Sequence, residues 1–368
     1  MPRLVVAVLA GAFVATATLV PMEADDPVSS TVSFNREVIR IIQRKCEPCH
    51  TPGGLAMSLS DYRDARAWGR AIREELVEHR MPPAIAARGY GRYESDPSLN
   101  AREMATFLTW LDGGMPRGDE ADRRAKTAAA DAVEEVEGSA GLRLSLPAQA
   151  VPAREDVVVR RVTVDAAAAA GRPIARVQFR AGNRRVLRGA LVFAKTNDGT
   201  MWLGGWLPWQ HAVVPPSQHA FHLPASATLV VELYYRGAES ELIDRSSIDV
   251  SFAPESARGR IEEVVVEASD RAATRIRGSV KLSLSTTVWA IHPETRTSIE
   301  SMEVRAERPD RSTEVLLWIP KARADWPLAL VMQEPVSLPA GSTVSLVVET
   351  SGPLPADSRP RVTLSVLR

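Results

Sequence analysis

The feature that most restricts the fold of this chain is a pair of cysteines, Cys46 and Cys49, followed directly by His50. They are the only cysteines among 368 residues. A structural zinc site usually needs a second cysteine pair, and a redox-active dithiol needs a strand before the motif, where a helical pattern stands instead. A structural disulfide is the third alternative. Covalent haem attachment fits best, because two thiols form thioethers with a porphyrin and the adjacent imidazole binds its iron.

The motif therefore predicts one covalently bound haem c in each chain, and the amino terminus predicts export. A positive charge at Arg3 precedes an apolar run over 4–14 and a small-residue triplet at 15–17, which is typical of a secretory signal peptide. An uncleaved anchor is the alternative, although the run is short for a span of about 20 residues. We expect a signal peptide at 1–24, a location in the periplasm or cell envelope, and no transmembrane segment after cleavage.

Composition excludes few classes of function. Hydrophobic residues make up 45% and charged residues 24% of the chain, as in ordinary folded proteins. The formal net charge is zero, so no overall field attracts the chain to nucleic acid, and we expect no nucleic-acid partner. Paired acids such as Glu262 and Glu263 are interpreted as solvated charges. The length predicts two or three domains.

Residues 28–118 predict a small helical unit around the motif. Ser33 can cap a first helix that leads to the cysteines, and a second helix with Trp68 on its apolar stripe should begin near position 60. A third helix opens at Asn100, with Glu103 in capping-box spacing, and should end at the glycine pair that follows it. Three helices in so short a unit give a thin core, which a buried porphyrin would complete.

The sixth iron ligand is predicted to be Met81. It lies in the sequence EHRMPP at 78–83, where two prolines hold the backbone extended and prevent helix continuation. A thioether ligand also raises the reduction potential, as an electron carrier requires. His79 is the alternative and would give a bis-histidine haem. Three further methionines are possible rivals: Met57, Met104 and Met115. Met57 follows His50 too closely to reach the opposite face of the haem, and Met104 lies on the apolar stripe of the third helix, where packing is the commoner role.

This segment resembles the c-type cytochrome domain that precedes a copper-monooxygenase-like region in many environmental bacterial proteins. In that family the CxxCH histidine is the proximal ligand and the methionine before the prolines is the distal one. The resemblance therefore implies the same roles for His50 and Met81. It is carried by residues 34–35, 46–50, 57–68, 80–83, 107–114, 116 and 118–119.

The sequence changes character after a linker that we predict at 119–145. The linker is rich in alanine and in charges of both signs, a composition that favours partial helix. Beyond it, short runs of alternating hydrophobicity lie between proline, glycine and serine clusters, as at 246–252 and 279–285. This pattern is typical of an all-β region.

A weak internal repeat suggests how the β region divides. LPASATL at 223–229 and LPAGSTV at 338–344 are 115 residues apart, which is a plausible length for one β-sandwich. We therefore predict a first sandwich at 146–253 and a second at 254–368. The expected fold class is multidomain, α then β, in which a small all-α cytochrome c domain precedes two tandem, jelly-roll-like β-sandwich domains.

The β region resembles the two-domain fold of copper type II, ascorbate-dependent monooxygenases, typified by peptidylglycine alpha-hydroxylating monooxygenase. The resemblance is carried by 179–186, 223–247, 292–304 and the strand after 338. Where relatives place copper-binding histidines, this chain has other side chains: Arg188, Gly189, Tyr234, Glu294 and Arg296. These bind copper poorly or repel it, so we do not expect bound copper. Four histidines remain available: His211, His219, His222 and His292.

These observations predict an exported monohaem c-type cytochrome that transfers single electrons to or from a periplasmic redox protein. Its monooxygenase-like β domains would have lost their catalysis and would serve docking or binding. Whether the chain is an enzyme stays open. One alternative is a copper-dependent oxidoreductase whose β domains receive electrons from the haem, and a second is a haem-based gas sensor.

Overall fold

The computed structural model of the chain is predominantly β. Strands take up 42% of it and helices 15%. The predicted signal peptide at 1–24 and residues 124–140 of the predicted linker lie outside the described residues. The structure describes residues 31–83, 86–123, 141–165, 167–169, 171–197, 199–210, 212–216, 218–254, 256–269, 274–327, 329–355 and 358–368.

Short helices form the first part of the chain. A π-helical turn at Phe34–Val38 leads directly into the first of them. The capping box predicted for the last helix is confirmed: the Asn100 side chain accepts the Glu103 N–H, and the Glu103 carboxylate accepts the Asn100 N–H, both at 2.8 Å. The α-helices are α1 (Ile39–Lys45), α2 (Tyr62–Ala67), α3 (Gly69–Val77) and α4 (Ala101–Asp112).

An aromatic cluster holds these helices together. Phe34 and Phe107 both contact Trp110, with ring centroids 5.8 Å apart in each pair. The Trp110 indole N–H donates to the Pro116 carbonyl at 3.0 Å, which satisfies its one polar atom inside the core. Trp68, which the sequence places on a buried stripe, instead lies between α2 and α3 and is 44% exposed.

In the described residues, ten strands lie in the first half of the β region. Nine of them make a three-stranded sheet in the order β1-β10-β4, a four-stranded sheet in the order β3-β8-β5-β6, and a ribbon of β2 and β9, whereas β7 joins a sheet of the second half. Buried residues of both larger sheets share one core, so these sheets form a β-sandwich. The strands are β1 (Leu142–Ser145), β2 (Gln149–Val151), β3 (Val158–Val164), β4 (Ile174–Arg180), β5 (Leu187–Thr196), β6 (Gly199–Trp206), β7 (His219–Ala220), β8 (Thr228–Tyr235), β9 (Leu242–Asp244) and β10 (Ser247–Phe252).

Eight further strands build the second sandwich. Its sheets have the orders β16-β13-β18-β11-β7 and β12-β17-β14-β15. Alternation sets the packing, because in β17 every second residue from Val344 to Val348 is buried against the facing sheet. The strands are β11 (Gly259–Glu267), β12 (Arg275–Lys281), β13 (Thr286–Glu294), β14 (Ile299–Glu307), β15 (Thr313–Ala322), β16 (Leu330–Leu338), β17 (Thr343–Glu349) and β18 (Arg361–Leu367).

The five-stranded sheet of the second sandwich is buried on both faces. Val288 and Ile291 belong to the core of the second sandwich, whereas Trp289 and Ile261 belong to the core of the first. The short strand β7, which lies in the first half of the β region, also pairs in parallel with β11. The two sandwiches therefore pack tightly against each other rather than sitting apart on a linker.

The segment between α3 and α4 joins the second sandwich. The Glu94 N–H donates to the Val331 carbonyl at 2.8 Å, and the Gln333 N–H donates to the Arg92 carbonyl at 2.9 Å. Tyr93, between them, is 6% exposed and lies in the core of the second sandwich. This segment thus adds to the edge of the sheet beside β16, and we call residues 86–94 the strap.

The predicted fold class is wrong. A small all-α cytochrome c domain does not precede the sandwiches as a separate unit in the described chain: the molecule is mostly β, its helices are short, and the strap binds the helical part to the second sandwich. The β-sandwich character of the chain is confirmed. The error arose because the periodicity of the helices was taken to describe the whole segment 28–118, whereas the stretch rich in proline and glycine between α3 and α4 is not helical.

Candidate functional site

The cysteine motif forms one turn at the end of α1. The N–H groups of Cys49 and His50 both donate to the carbonyl of Cys46, at 3.1 and 2.9 Å. The Cys46 N–H in turn donates to the carbonyl of Ile42 at 2.8 Å. The helical winding therefore continues through the motif. Residues three and four apart on such a winding lie on the same side, so the two thiols and the imidazole share one side of the turn.

Both cysteines are free thiols. Burial raises the pKa of each to about 12, and at Cys46 the neighbouring Cys49 adds to the effect. A reactive dithiol or a zinc ligand needs a thiolate, which an apolar environment disfavours. Both side chains are therefore protonated thiols in this environment.

The His50 ring is held in one tautomer. Its Nδ1 lies 2.9 Å from the carbonyl oxygen of Met57, and because a carbonyl only accepts, Nδ1 carries the proton. Burial lowers the pKa of His50, although the bond to Met57 opposes the shift. Nε2 therefore keeps its lone pair, which is the form that binds a metal. The loop after the motif is fixed by further backbone bonds, such as Leu59 N–H to the His50 carbonyl at 3.0 Å.

Met81 lies on a separate loop. It follows α3, its N–H donates to the Glu75 carbonyl at 3.2 Å, and a cis peptide joins it to Pro82. The side chain is 37% exposed. Within the described residues, no hydrogen bond connects it to the cysteine motif. The rival His79 is also exposed, in the left-handed region at φ 51°.

Several large apolar side chains are exposed between the motif and Met81. They are Met57 (41%), Trp68 (44%), Val77 (45%) and Met81 (37%). Exposed charged residues, such as Arg66 and Arg70, lie among them in the chain. With two free thiols and an available imidazole nitrogen beside them, the residues present fit a covalently attached porphyrin.

Three of the positions where relatives place copper ligands line a cleft between the two sandwiches. Tyr234 on β8 is the cross-strand neighbour of Gly189 on β5, and Glu294 and Arg296 lie at the end of β13 and just beyond it. Tyr234, Glu294 and Arg296 line the same cavity of about 620 Å³. Arg188 points elsewhere and forms an ion pair with Asp325 at 2.5 Å.

Ion pairs hold the polar side chains of this cleft. Glu294 accepts from Arg361 at 2.6 Å, and Arg161 pairs with Glu232. The Tyr234 hydroxyl donates to Glu232 at 3.0 Å, and burial raises the pKa of that hydroxyl well above its usual range. Tyr234 and Glu294 are therefore engaged in bonds to other side chains of the chain.

The structure describes three of the four remaining histidines: His219, His222 and His292. His292 is 2% exposed and stacks on Trp202, with ring centroids 6.2 Å apart and planes 9° from parallel. The ring of His219 covers Gly259, where a Cβ would approach to 2.5 Å. Burial lowers the pKa of His222. Among the described residues, no group of three or more His, Cys, Asp or Glu side chains could hold a metal, and His211 lies outside them.

The sequence interpretation missed one buried carboxyl group, that of Glu263. Glu263, read with Glu262 as solvated, lies between the sandwiches and accepts the backbone N–H of Trp202 at 2.5 Å. Burial raises its pKa to about 7. A signal was present: β11 alternates, so Glu263 shares a face with Ile261, which is buried.

Comparisons with known proteins leave the family open. No family model matches the chain, and no curated protein matches it. A protein assigned as an alpha-L-fucosidase from Bacteroides ovatus aligns over 75% of this chain and 50% of its own length, at 10% identity and a TM-score of 0.19. The CUB1-EGF-CUB2 domains of rat MASP-1 align over 60% and 97%, at 9% identity and a TM-score of 0.15. This chain thus spans about half of the former protein.

Helix length was also compared with membrane thickness. In the described part of the chain, every helix is too short or too polar to cross a bilayer.

Proposed function

We propose that this chain is an exported c-type cytochrome that carries one covalently bound haem and transfers single electrons to or from a periplasmic redox protein. The observation that supports it most is the turn at Cys46, Cys49 and His50. It presents two free thiols and an imidazole lone pair on one side of a helical turn. When bound, the haem supplies a reversible one-electron change at its iron.

The side chains of the motif would each have a distinct role. Cys46 and Cys49 would tether the porphyrin through thioethers, and His50 Nε2 would bind the iron. The Met57 carbonyl positions that nitrogen by accepting the proton of Nδ1. Met57 and Trp68 would exclude water from one side of the ring.

Met81 would supply the sixth ligand from the loop after α3. Its side chain is partly exposed. Pro82 and Pro83, which follow it directly, restrict the backbone on that side. Because the ligands stay the same in both oxidation states, the transfer would need little rearrangement. The resemblance to cytochrome domains that precede copper-monooxygenase-like regions supports the same assignment.

The β-sandwiches would serve docking or binding rather than copper catalysis. The positions that hold copper ligands in the monooxygenases carry Tyr234, Glu294 and Arg296 here, and the first two are engaged in hydrogen bonds and ion pairs. Metal analysis separates this proposal from a haem-fed copper oxidoreductase. About one iron and no copper per chain supports the carrier, and one or two coppers would support the oxidoreductase.

The test of the proposal is expression with export in a host that attaches haem c. We expect a red protein whose haem stays bound after denaturation, and a Cys46→Ser/Cys49→Ser variant that does not retain it. The ferric wild type should show the weak far-red band of methionine ligation, and Met81→Ala should lose it. Met104→Ala is the matched control and should keep the band. A colourless wild type, with its thiols free or joined in a disulfide, would refute the proposal.

The exposure of Met81 favours one second candidate. A ligand on the surface could be displaced by a small gas, which is what a haem-based sensor needs. Carbon monoxide binding by the reduced protein at neutral pH would support the sensor, and resistance to carbon monoxide would support the carrier.

A further inference from the structure

The cleft between the sandwiches has the size and position of a ligand site. Its volume of about 620 Å³ lies within the range of roughly 300–1,000 Å³ typical of small-molecule pockets, which often form between domains. Strands of both sandwiches contribute to its wall, including Leu191 of β5 and Ile319 of β15. The mixture of apolar wall and a few charged groups is also typical of such pockets.

The charges of the cleft are not balanced. Five arginines and three glutamates line it, an excess of two positive charges. Arg296 is exposed and forms no ion pair within the described residues. Arg323 shares its partner: the Asp325 carboxylate pairs both with Arg323 at 2.7 Å and with Arg188, outside the cleft, at 2.5 Å. The wall therefore carries positive charge that no protein carboxylate compensates.

An aromatic ring forms part of the same wall. Trp326 lines the cleft. Its ring contacts the ring of Trp209, with centroids 5.4 Å apart, and the Arg188 guanidinium lies 5.6 Å from its centroid. A ring supported in this way keeps its orientation. An indole face in the same cleft as an unpaired guanidinium group can stack on a planar ring while that arginine binds an acidic substituent.

We propose that this cleft binds a small organic anion that carries a ring. The guanidinium of Arg296 binds the carboxylate or phosphate, and Trp326 contacts the ring. Arginine is suited to both anions, because its planar fork can donate two parallel hydrogen bonds. The proposal concerns only residues of the β region and does not depend on haem attachment.

The test is equilibrium dialysis of the full-length chain against three probes: 4-hydroxybenzoate, glucuronate and adenosine monophosphate. Each probe is paired with a neutral analogue, which is 4-hydroxybenzamide, glucose or adenosine. We expect at least one anion to bind saturably, with one site per chain, and its neutral partner to bind at least about tenfold more weakly. The probe that binds tells an aromatic acid, a sugar acid and a phosphate apart.

Two variants locate the site. Arg296→Gln should raise the dissociation constant of the bound probe about tenfold or more, because a charge-assisted hydrogen bond is lost. Arg277→Gln, on β12 and outside the cleft, removes the same exposed charge and should leave binding within about twofold. Equal unfolding midpoints of both variants and the wild type would show that folding is intact, and iron content measured in parallel keeps a failure of haem attachment separate.

Three results would overturn the proposal. One is that no anionic probe binds with a dissociation constant below about 1 mM, the weak limit for a specific small-molecule site. Another is that anions and neutral analogues bind equally. The third is that Arg277→Gln weakens binding as much as Arg296→Gln, which would mean attraction by general charge.

Discussion

The helical part and the β part of this molecule are stabilised to different degrees. Among the described residues, 12 buried apolar residues form the helical core, whereas 31 and 25 form the cores of the sandwiches. The helical part also exposes large apolar side chains between Met57 and Met81. So small a core stabilises a folded unit only weakly by itself. The comparison teaches that the helical part depends more than the sandwiches on contacts beyond its own core.

The largest test of this difference is removal of the haem tether. In Cys46→Ser/Cys49→Ser we expect amides of α1 and α4 to lose at least about tenfold of their protection against hydrogen exchange, because ligand-linked stability is lost. Amides of β13 and β18 should keep their protection. Mass spectrometry of exchanging peptides measures both regions in one sample.

The control for this experiment is Thr51→Ser, which lies next to the motif and keeps both thiols. It should retain haem and full protection. Equal protection of α1 and α4 with and without haem would show that the helical core is sufficient on its own.

The junction of the sandwiches should respond to pH through Glu263. Its carboxyl has an ordinary pKa of 4.5 when unfolded, and burial raises this to about 7 in the folded state. The unfolded chain therefore loses this proton first. The stability contributed by protonated Glu263 is complete below pH 4.5 and is lost as the pH rises through 7.

Glu263→Gln removes this titration and keeps an acceptor for the Trp202 N–H. Relative to the wild type, we expect the free energy of unfolding of the variant to rise between pH 4.5 and 8 by up to about 3 kcal/mol. Urea unfolding at several pH values measures it. Glu262→Gln, the exposed neighbour, should leave the pH profile parallel to that of the wild type, and a parallel profile for Glu263→Gln would contradict the assigned burial.

The strap tests how firmly the two parts are joined. The buried hydroxyl of Tyr93 donates to the Leu316 carbonyl. Tyr93→Phe leaves that carbonyl without its donor and should lower the free energy of unfolding by about 1–2 kcal/mol. Tyr90→Phe is the matched control, since it keeps the ring contact with Trp318. Chemical unfolding measures the free energy of unfolding of both variants. Equal values would show that the Tyr93 hydrogen bond does not stabilise the junction of strap and sandwich.

The smallest effect concerns the helical part alone. Asn100→Ala removes the capping box at the start of α4 and should cost about 1 kcal/mol of local stability. Hydrogen exchange of the first turn of α4 measures it. Asn100→Asp keeps the acceptor and should behave as the wild type. A loss of protection in β13 as well would mean that the two parts unfold together.

The sequence predicted features that depend on near neighbours. The capping box at Asn100 and Glu103 was correct because both bonds lie within one turn. The haem attachment inferred from Cys46, Cys49 and His50 also rests on near neighbours, and it stays a prediction. The alternation in the second half showed strands and sandwich character, because side chains of a strand alternate between two faces.

Features that depend on distant partners could not be predicted. Trp68 lies on a helical stripe by spacing, yet the chain bends between α2 and α3 and exposes it. Glu263 was interpreted as a surface acid from its sequence, but in the fold its carboxylate is covered and accepts the backbone N–H of Trp202. Local pattern reports which face a residue occupies, but what covers that face is a property of the whole fold.

The sequence alone determined the capped start of α4 and the β character of the second half, because each follows from residues a few positions apart. Only the tertiary structure decided that the strap joins the helical part to the second sandwich and that a charged cleft opens between the sandwiches. The bond from Tyr93 to Leu316 spans 223 positions. Contacts over such distances are selected by packing and burial of the whole chain, which no local pattern records.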